Sequence, residues 1–327
     1  ATGLLALLAC GLRAAGPPAA ATRPASAPAD GRQLIRDRHF LAGFEAADPA
    51  PGKRVSRGLL QPPGARGKPA WWLVQWASRF SLAGATAAKR PGGGVEFHND
   101  AKFVRLAPAG DDADVVLGVD ARKEYRGQPY RKGTPWVHLL LEQELAPSPP
   151  LAGLRELRFS ATFRLLKDQP LTGAAVDPAI HENVAQFQAY ITVGNRNRAS
   201  KGYGDYLWFG VPFYDNRYPS SPGGAMPDVG TGKFIYSPPT SVFTAAISSQ
   251  GQWVTIDHDV LPLMLAGLEK ARAQGFLLNS RDLWDLGVGS INIGWEMPGA
   301  RDSAMQLRDL SLLAYPLVGP KPSPKPH

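Results

Sequence analysis

Over Gln186–Tyr214 (QFQAYITVGNRNRASKGYGDYLWFGVPFY), glutamine, tyrosine and tryptophan alternate with apolar residues. A pyranose ring offers an apolar C–H face that stacks on flat aromatics, and hydroxyls that seek planar amide, carboxylate or guanidinium partners. Gln186, Gln188, Tyr190, Tyr206, Trp208 and Tyr214 supply that combination, with Arg158 and Asp215 as further polar contacts. The chemistry they suggest is recognition of a polysaccharide. A second reading packs the same side chains under the long loop or the helix as satisfied buried groups. Hydrolysis of a glycosidic bond would require two facing carboxyl groups. Glu142 with Glu296 is the best such pair, and Asp215 is a substitute.

Other chemistries find little support. The six histidines show neither HxH nor HExxH spacing, which argues against a catalytic zinc. The chain contains no G-x-S-x-G elbow, phosphate-binding Gly-rich loop or dinucleotide fingerprint. The formal charge of +8 suits an anionic partner, but its basic residues are scattered and are not interleaved with aromatics. A nucleic-acid surface is therefore not expected.

These side chains must be held by strands. Side chains alternate across a strand, so Phe187, Ala189, Ile191 and Val193 face a core while Gln186, Gln188 and Tyr190 face away from it. The same logic gives Leu207, Phe209, Val211 and Phe213 a core face, opposite Tyr206, Trp208 and Tyr214. Similar patterns run through Trp136–Leu145, Leu157–Leu165, Trp253–Asp257, Ser290–Trp295 and Met305–Tyr315. With 35 glycines and 31 prolines, about a fifth of 327 residues, and one helical pattern over Asp259–Phe276, the expected class is all-β. The architecture expected is a two-sheet antiparallel jelly-roll sandwich with one inserted helix. If the strands at Trp136, Leu157, Gln186, Tyr206 and Ser290 are neighbours, their outward residues form one concave aromatic and amide face.

At the N-terminus, Leu7-Leu8-Ala9-Cys10 follows a short apolar run and resembles the lipobox of bacterial lipoprotein signals. That resemblance divides the chain into a truncated signal segment (1–10), an Ala/Pro-rich tether (11–36), the sandwich (37–316) and a Pro/Lys tail (317–327). A signal cut near Ala19-Ala20-Ala21 is the competing reading. Either implies export to the periplasm or surface of a bacterium, the first with a lipid anchor on Cys10, the lone cysteine.

Phe44-Glu45, a Trp-containing segment and a closing Gln306-Leu307-Arg308-Asp309-Leu310-Ser311-Leu312 resemble secreted carbohydrate-binding jelly rolls of the galactose-binding-like kind. The resemblance implies a structural calcium shared by Glu45 and Asp309, with no other cofactor. A weaker likeness, in residue types alone, is to jelly-roll polysaccharide lyases. It implies that Arg158 and Gln188 would neutralise a uronate while His138 and Tyr190 exchange protons. The expectation is thus an exported polysaccharide-binding protein. The alternatives are a lyase or a hydrolase at the same face, and a surface that meets another protein.

Overall fold

The computed structural model describes residues 30–107, 114–171 and 183–317. Cys10 with its leader, residues 11–29 of the tether and residues 318–327 of the Pro/Lys tail lie outside the described residues. β-Structure begins with β1 (Arg32–Gln33), inside the segment read as tether, followed by β2 (Phe44–Ala47), β3 (Ser56–Leu60), β4 (Trp71–Val74), β5 (Ala88–Lys89), β6 (Val95–His98), β7 (Lys102–Leu106) and β8 (Val115–Asp120). A one-turn helix, α1 (Ala121–Glu124), precedes β9 (Val137–Glu144), β10 (Leu154–Pro170), β11 (Gln186–Asn195) and β12 (Tyr206–Asp215). Then come β13 (Gly224–Pro227), β14 (Phe234–Ser237), α2 (Thr240–Phe243), β15 (Trp253–Asp259), α3 (Leu261–Ala273), β16 (Leu286–Met297) and β17 (Arg301–Pro316).

Two sheets result, and they form a β-sandwich of jelly-roll type. One runs β13-β14-β12-β11-β16-β9-β4-β2-β3; the other runs β15-β10-β17-β8-β7-β6-β5, with β1 also on β17. Pairing is antiparallel except for β12 with β14 and β2 with β4. Alternation does what the sequence predicts: Phe187, Ala189, Ile191 and Val193 of β11 and Leu207, Phe209, Val211 and Phe213 of β12 are all in the core. Phe163 of β10 stacks on Phe213 of β12 at 4.7 Å, and Trp295 of β16 donates its indole N–H to the Leu117 carbonyl of β8 at 3.0 Å, which clamps the two sheets together; Trp295 also meets Phe187 of its own sheet edge-on at 5.1 Å. Burial of each such ring is worth about 2–3 kcal/mol.

The expected helix is α3. Its Leu261, Met264, Leu268 and Ala271 are buried, and it ends before Gly275, which takes φ +86°. Gly267 lets the helix sit against the Tyr236 ring, because a Cβ there would come within 2.5 Å of it. The loop-rich stretch 215–241 is more regular than its composition suggests. It contains the β13–β14 hairpin, which extends the nine-stranded sheet beyond β12.

Candidate carbohydrate-binding groove

The outward face of the nine-stranded sheet collects four of the five strands expected to be neighbours: β12, β11, β16 and β9. Register orders their outward residues in rows. Asp215, Gln186, Glu296 and His138 form the first row, and Pro212, Gln188, Gly294 and Leu140 the second. Gly210, Tyr190, Asn292, Glu142 and Trp72 form the third, and Trp208 and Thr192 lie beyond it.

Glu296 is the centre of the first two rows. Gln188 Nε2 donates to its Oε2 at 2.7 Å, and His138 Nε2 lies 3.9 Å from its Oε1. Gln188 also donates to Gln186 Oε1 (3.3 Å), and Gln186 donates to Asp215 Oδ2 (3.4 Å). Gly294 leaves the floor beside this cluster bare. It takes φ +152°, and a Cβ there would come within 2.2 Å of the Leu139 carbonyl oxygen.

Burial is the main force on the Glu296 carboxyl and pushes its pKa up. The His138 charge and the Gln188 hydrogen bond oppose the rise, while the Asp228 carboxylate in the β13–β14 turn adds to it. A native carboxyl with a raised pKa holds its proton more tightly than the unfolded chain does. Its stabilising contribution is therefore complete below the ordinary glutamate range and is lost as pH rises through the raised value. Glu296→Gln should consequently gain thermal stability over the wild type as pH rises above the ordinary glutamate range. Parallel melting curves across that range check this; a constant difference would contradict it.

Aromatic residues flank the cluster on both sides. On the β12 side, Tyr190 stands edge-on to Trp208 at 6.1 Å, and Tyr206 edge-on to Trp208 at 5.2 Å. The Tyr190 ring lies over Gly210, where an added Cβ would approach it to 2.8 Å. Burial, then the charge of Glu296, raises the pKa of Tyr190, so it stays a phenol and donates hydrogen bonds. The β13–β14 turn partly clasps this platform. Trp208 Nε1 donates to Thr231 Oγ1 (3.3 Å), and Lys233 Nζ sits 5.2 Å from the Tyr206 ring centre. The reading of these aromatics as side chains covered by a loop is therefore correct for one edge of Trp208 and Tyr206.

On the β9 side the sequence analysis missed two tryptophans. Trp72 and Trp76 pack on the small outward cluster of Ala47, Val74 and Leu140. The Trp76 indole bonds Glu142. The signal was the even spacing of Trp72, Val74 and Trp76 in WWLVQW, masked because Trp71 and Leu73, in the opposite phase, are core residues.

Several expected members are elsewhere. Arg158 belongs to β10 in the other sheet, where it is paired with Asp257 (2.6 Å) and Glu156. Tyr214 faces the core, not the groove. A bulge sets Phe213 and Tyr214 on the same side of β12, so Tyr214 packs toward Trp295 and donates to Asp168 of β10 at 2.6 Å. The bulge also returns Asp215 to the groove row, where Arg217 grips it through Nε at 2.9 Å and Nη2 at 2.6 Å.

Glu142 and Glu296 share the face, but Glu296 is level with His138, four residues along β9 from Glu142. That is about 13 Å of strand. Burial raises the Glu142 pKa against the opposing charge of Arg54, which lies 3.3 Å away. Glu45 and Asp309 do not meet. Glu45 is on the outward face of β2 beside Lys68 (3.4 Å), while Asp309 is in β17 of the other sheet beside Arg308 (3.6 Å). Among the described residues, no group of three or more His, Cys, Asp or Glu is placed to hold a metal ion.

No protein-family model matches the chain, and no curated protein matches it. Solved structures give low-scoring matches. The xyloglucanase domain of NopAA, a type three effector from Sinorhizobium fredii in complex with cellobiose, is 12% identical; the match covers 72% of this chain and 100% of that one, with a TM-score of 0.36. Endoglucanase cel12A from Rhodothermus marinus is 10% identical over 71% of this chain and 97% of its own, with a TM-score of 0.36. The family 11 xylanase from Neocallimastix patriciarum is 9% identical over 70% and 94%, with a TM-score of 0.33. Such scores leave family membership unassigned.

Proposed function

We propose that the outward face of the nine-stranded sheet binds an uncharged polysaccharide. The observation that carries this reading is the Glu296–Gln188–His138 cluster, floored by Gly294 and flanked by Tyr190 and Trp208 on one side and Trp72 and Trp76 on the other. The distance from β12 to β4 is four inter-strand steps, about 19 Å, which is the length of a short oligosaccharide and not of one ring. Charge selects against acidic glycans. The central Glu296 meets a histidine and an amide, and the nearby guanidiniums of Arg54 and Arg217 are already paired with Glu142 and Asp215. With Arg158 in the other sheet and burial keeping Tyr190 a protonated phenol, the lyase set is not assembled on this face.

Purified chain titrated calorimetrically with neutral and with uronate-containing polysaccharides tests this reading. Heat of binding with the neutral polymers alone is expected. Binding only to the acidic ones would overturn it. Trp76→Ala and Trp208→Ala should each weaken binding about tenfold or more while the chain stays folded. Unchanged affinity in both would place the sugar elsewhere.

A hydrolytic reading is favoured by one observation: a buried carboxyl with a raised pKa is what a general acid at a glycosidic oxygen requires. Glu142 is not its partner on this geometry. Asp215 lies in the same row as Glu296 two strands away, a backbone separation of about 10 Å. For Asp215 to activate water across the sugar, its carboxyl group would have to stand roughly 6.5–9.5 Å from that of Glu296. Release of reducing ends from a bound neutral polysaccharide separates cleavage from binding alone.

A further inference from the structure

The third row of the groove continues past Trp72. Trp72 is level with Glu45 of β2, and Glu45 with Leu59 of β3, the strand that ends the sheet. Phe44 and Ala46 on either side of Glu45 enter the core, as does Leu60 beside Leu59, so Glu45 and Leu59 point outward with Trp72. The face therefore extends two inter-strand steps beyond β4, about 10 Å.

The polar side chains along this row are of two kinds. Tyr190 bonds Ser237 and Gln188, and Glu142 bonds the Trp76 indole and Arg54. Their hydrogen bonding is met within the protein. Asn292, half-buried between Tyr190 and Glu142, has no hydrogen bond to its side-chain amide among the described residues. Glu45 is 9% exposed, and its Oε2 is buried without a hydrogen-bond donor. The Lys68 ammonium, on a side chain 78% exposed, stands 3.4 Å from that oxygen and is not aligned to donate to it. An ion pair so open to water contributes little.

Burying an acceptor without a donor costs stability, and a ligand hydroxyl that donates there recovers the cost on binding. A free amide offers a donor and an acceptor together, which suits two neighbouring hydroxyls of a sugar ring. We infer that the glycan lies across the strands along the third row, with hydroxyls on Asn292 at one place and on Glu45 at another. This rests on the reading of the face as a neutral-polysaccharide groove, and it gives that groove a direction and a far end. Asn292 and Glu45 are three inter-strand steps apart, about 14 Å, so the ligand is an extended chain longer than a disaccharide. Between them lies Trp72, with the Arg54 guanidinium carbon 5.5 Å from its ring centre and held there by Glu142 and Glu144. Past Glu45, Leu59 is 51% exposed and offers an apolar surface to a last ring.

The test titrates the full chain calorimetrically with hexasaccharides of β-1,4-linked glucose, xylose and mannose, and with their parent polymers. Asn292→Ala and Glu45→Ala should each raise the Kd for whichever of these binds by about fivefold or more. In the ¹⁵N-labelled chain the Asn292 side-chain amide resonances, identified by their loss in Asn292→Ala, should shift as the same probe saturates. Weakening in only one of the two variants, or in neither, overturns the inference and leaves the groove reading standing. An unmoved Asn292 amide at saturation overturns it as well. No heat with any of the oligomers or polymers removes the groove reading itself, and this inference with it. Should an alanine variant fail to fold, Glu45→Gln and Asn292→Asp decide in its place. Each keeps the side-chain shape while changing its hydrogen bonding, and each should weaken binding by less than the alanine.

Discussion

On the hydrolytic reading, Glu296→Gln is expected to retain neutral polysaccharide while cleaving it about 10²–10⁴-fold more slowly than the wild type, the usual contribution of a positioned general acid. The amide keeps the shape of the side chain, but it has no proton to give to the leaving oxygen. The Gln188 side chain can rotate to present its own carbonyl, so the local hydrogen bond survives the exchange. The variant should thus gain stability as it loses turnover, because the cost of ionising a buried carboxyl disappears with the carboxyl. Rates of reducing-end release and binding isotherms on the same polymer measure both. Equal rates in the two proteins would remove Glu296 from the chemistry and leave the groove a binding surface.

The second large effect concerns stability. Glu124→Gln is expected to lower the unfolding free energy by about 3–5 kcal/mol, because it strands a buried ammonium. Lys102 and Glu124 are 2% and 4% exposed and pair directly. Lys102 also donates to Ser78 Oγ (2.6 Å), Ser78 donates to Glu124 (2.7 Å), and the Arg79 backbone N–H donates to Glu124 (2.7 Å). Burial already depresses the Lys102 pKa, with Glu124 acting against it. Without the carboxylate the depression deepens. The unfolded chain then binds a proton that the native chain lacks, and stability of the variant should rise with pH up to the ordinary lysine range. The double variant Lys102→Met/Glu124→Leu should recover most of the loss, since it removes both charges together. Urea unfolding at two pH values tests all three statements; a pH-independent loss in Glu124→Gln would contradict them. The pair fastens the segment that follows β4, and that segment includes Trp76 of the groove.

Much of this arrangement was legible as alternation. Gln186, Gln188, Tyr190, Tyr206 and Trp208 are on one face because period-two patterning in β11 and β12 admits no other assignment once their partners enter the core. Alternation is blind to three things. It does not say which sheet a strand joins, so Arg158 on β10 looked no different from a groove residue. Nor does it register a bulge, and one extra residue turned Tyr214 inward while returning Asp215 to the groove. It also gives facing direction without position along the strand, and so Glu142 and Glu296 were paired although two rows separate them. Trp72 and Trp76 went unrecognised for a fourth reason. A strand with apolar residues on both faces carries no polar mark of its outer side, and only the neighbouring Leu140 and Ala47 reveal a second small cluster there.

β17 sits between β10 and β8, and its far end pairs with β1, so Arg32 meets Ala314. The last long strand described is thus an interior strand of its sheet, joined to the first by a separation of nearly the whole chain. Closing so distant a contact is slow, and the chain holds open strand edges until it happens. A ribosome that has released everything up to residue 300 has therefore made a molecule with a gap through one sheet. Completion of this sheet waits for the residues of β17, and until they are made the chain depends on whatever keeps it from pairing with its neighbours.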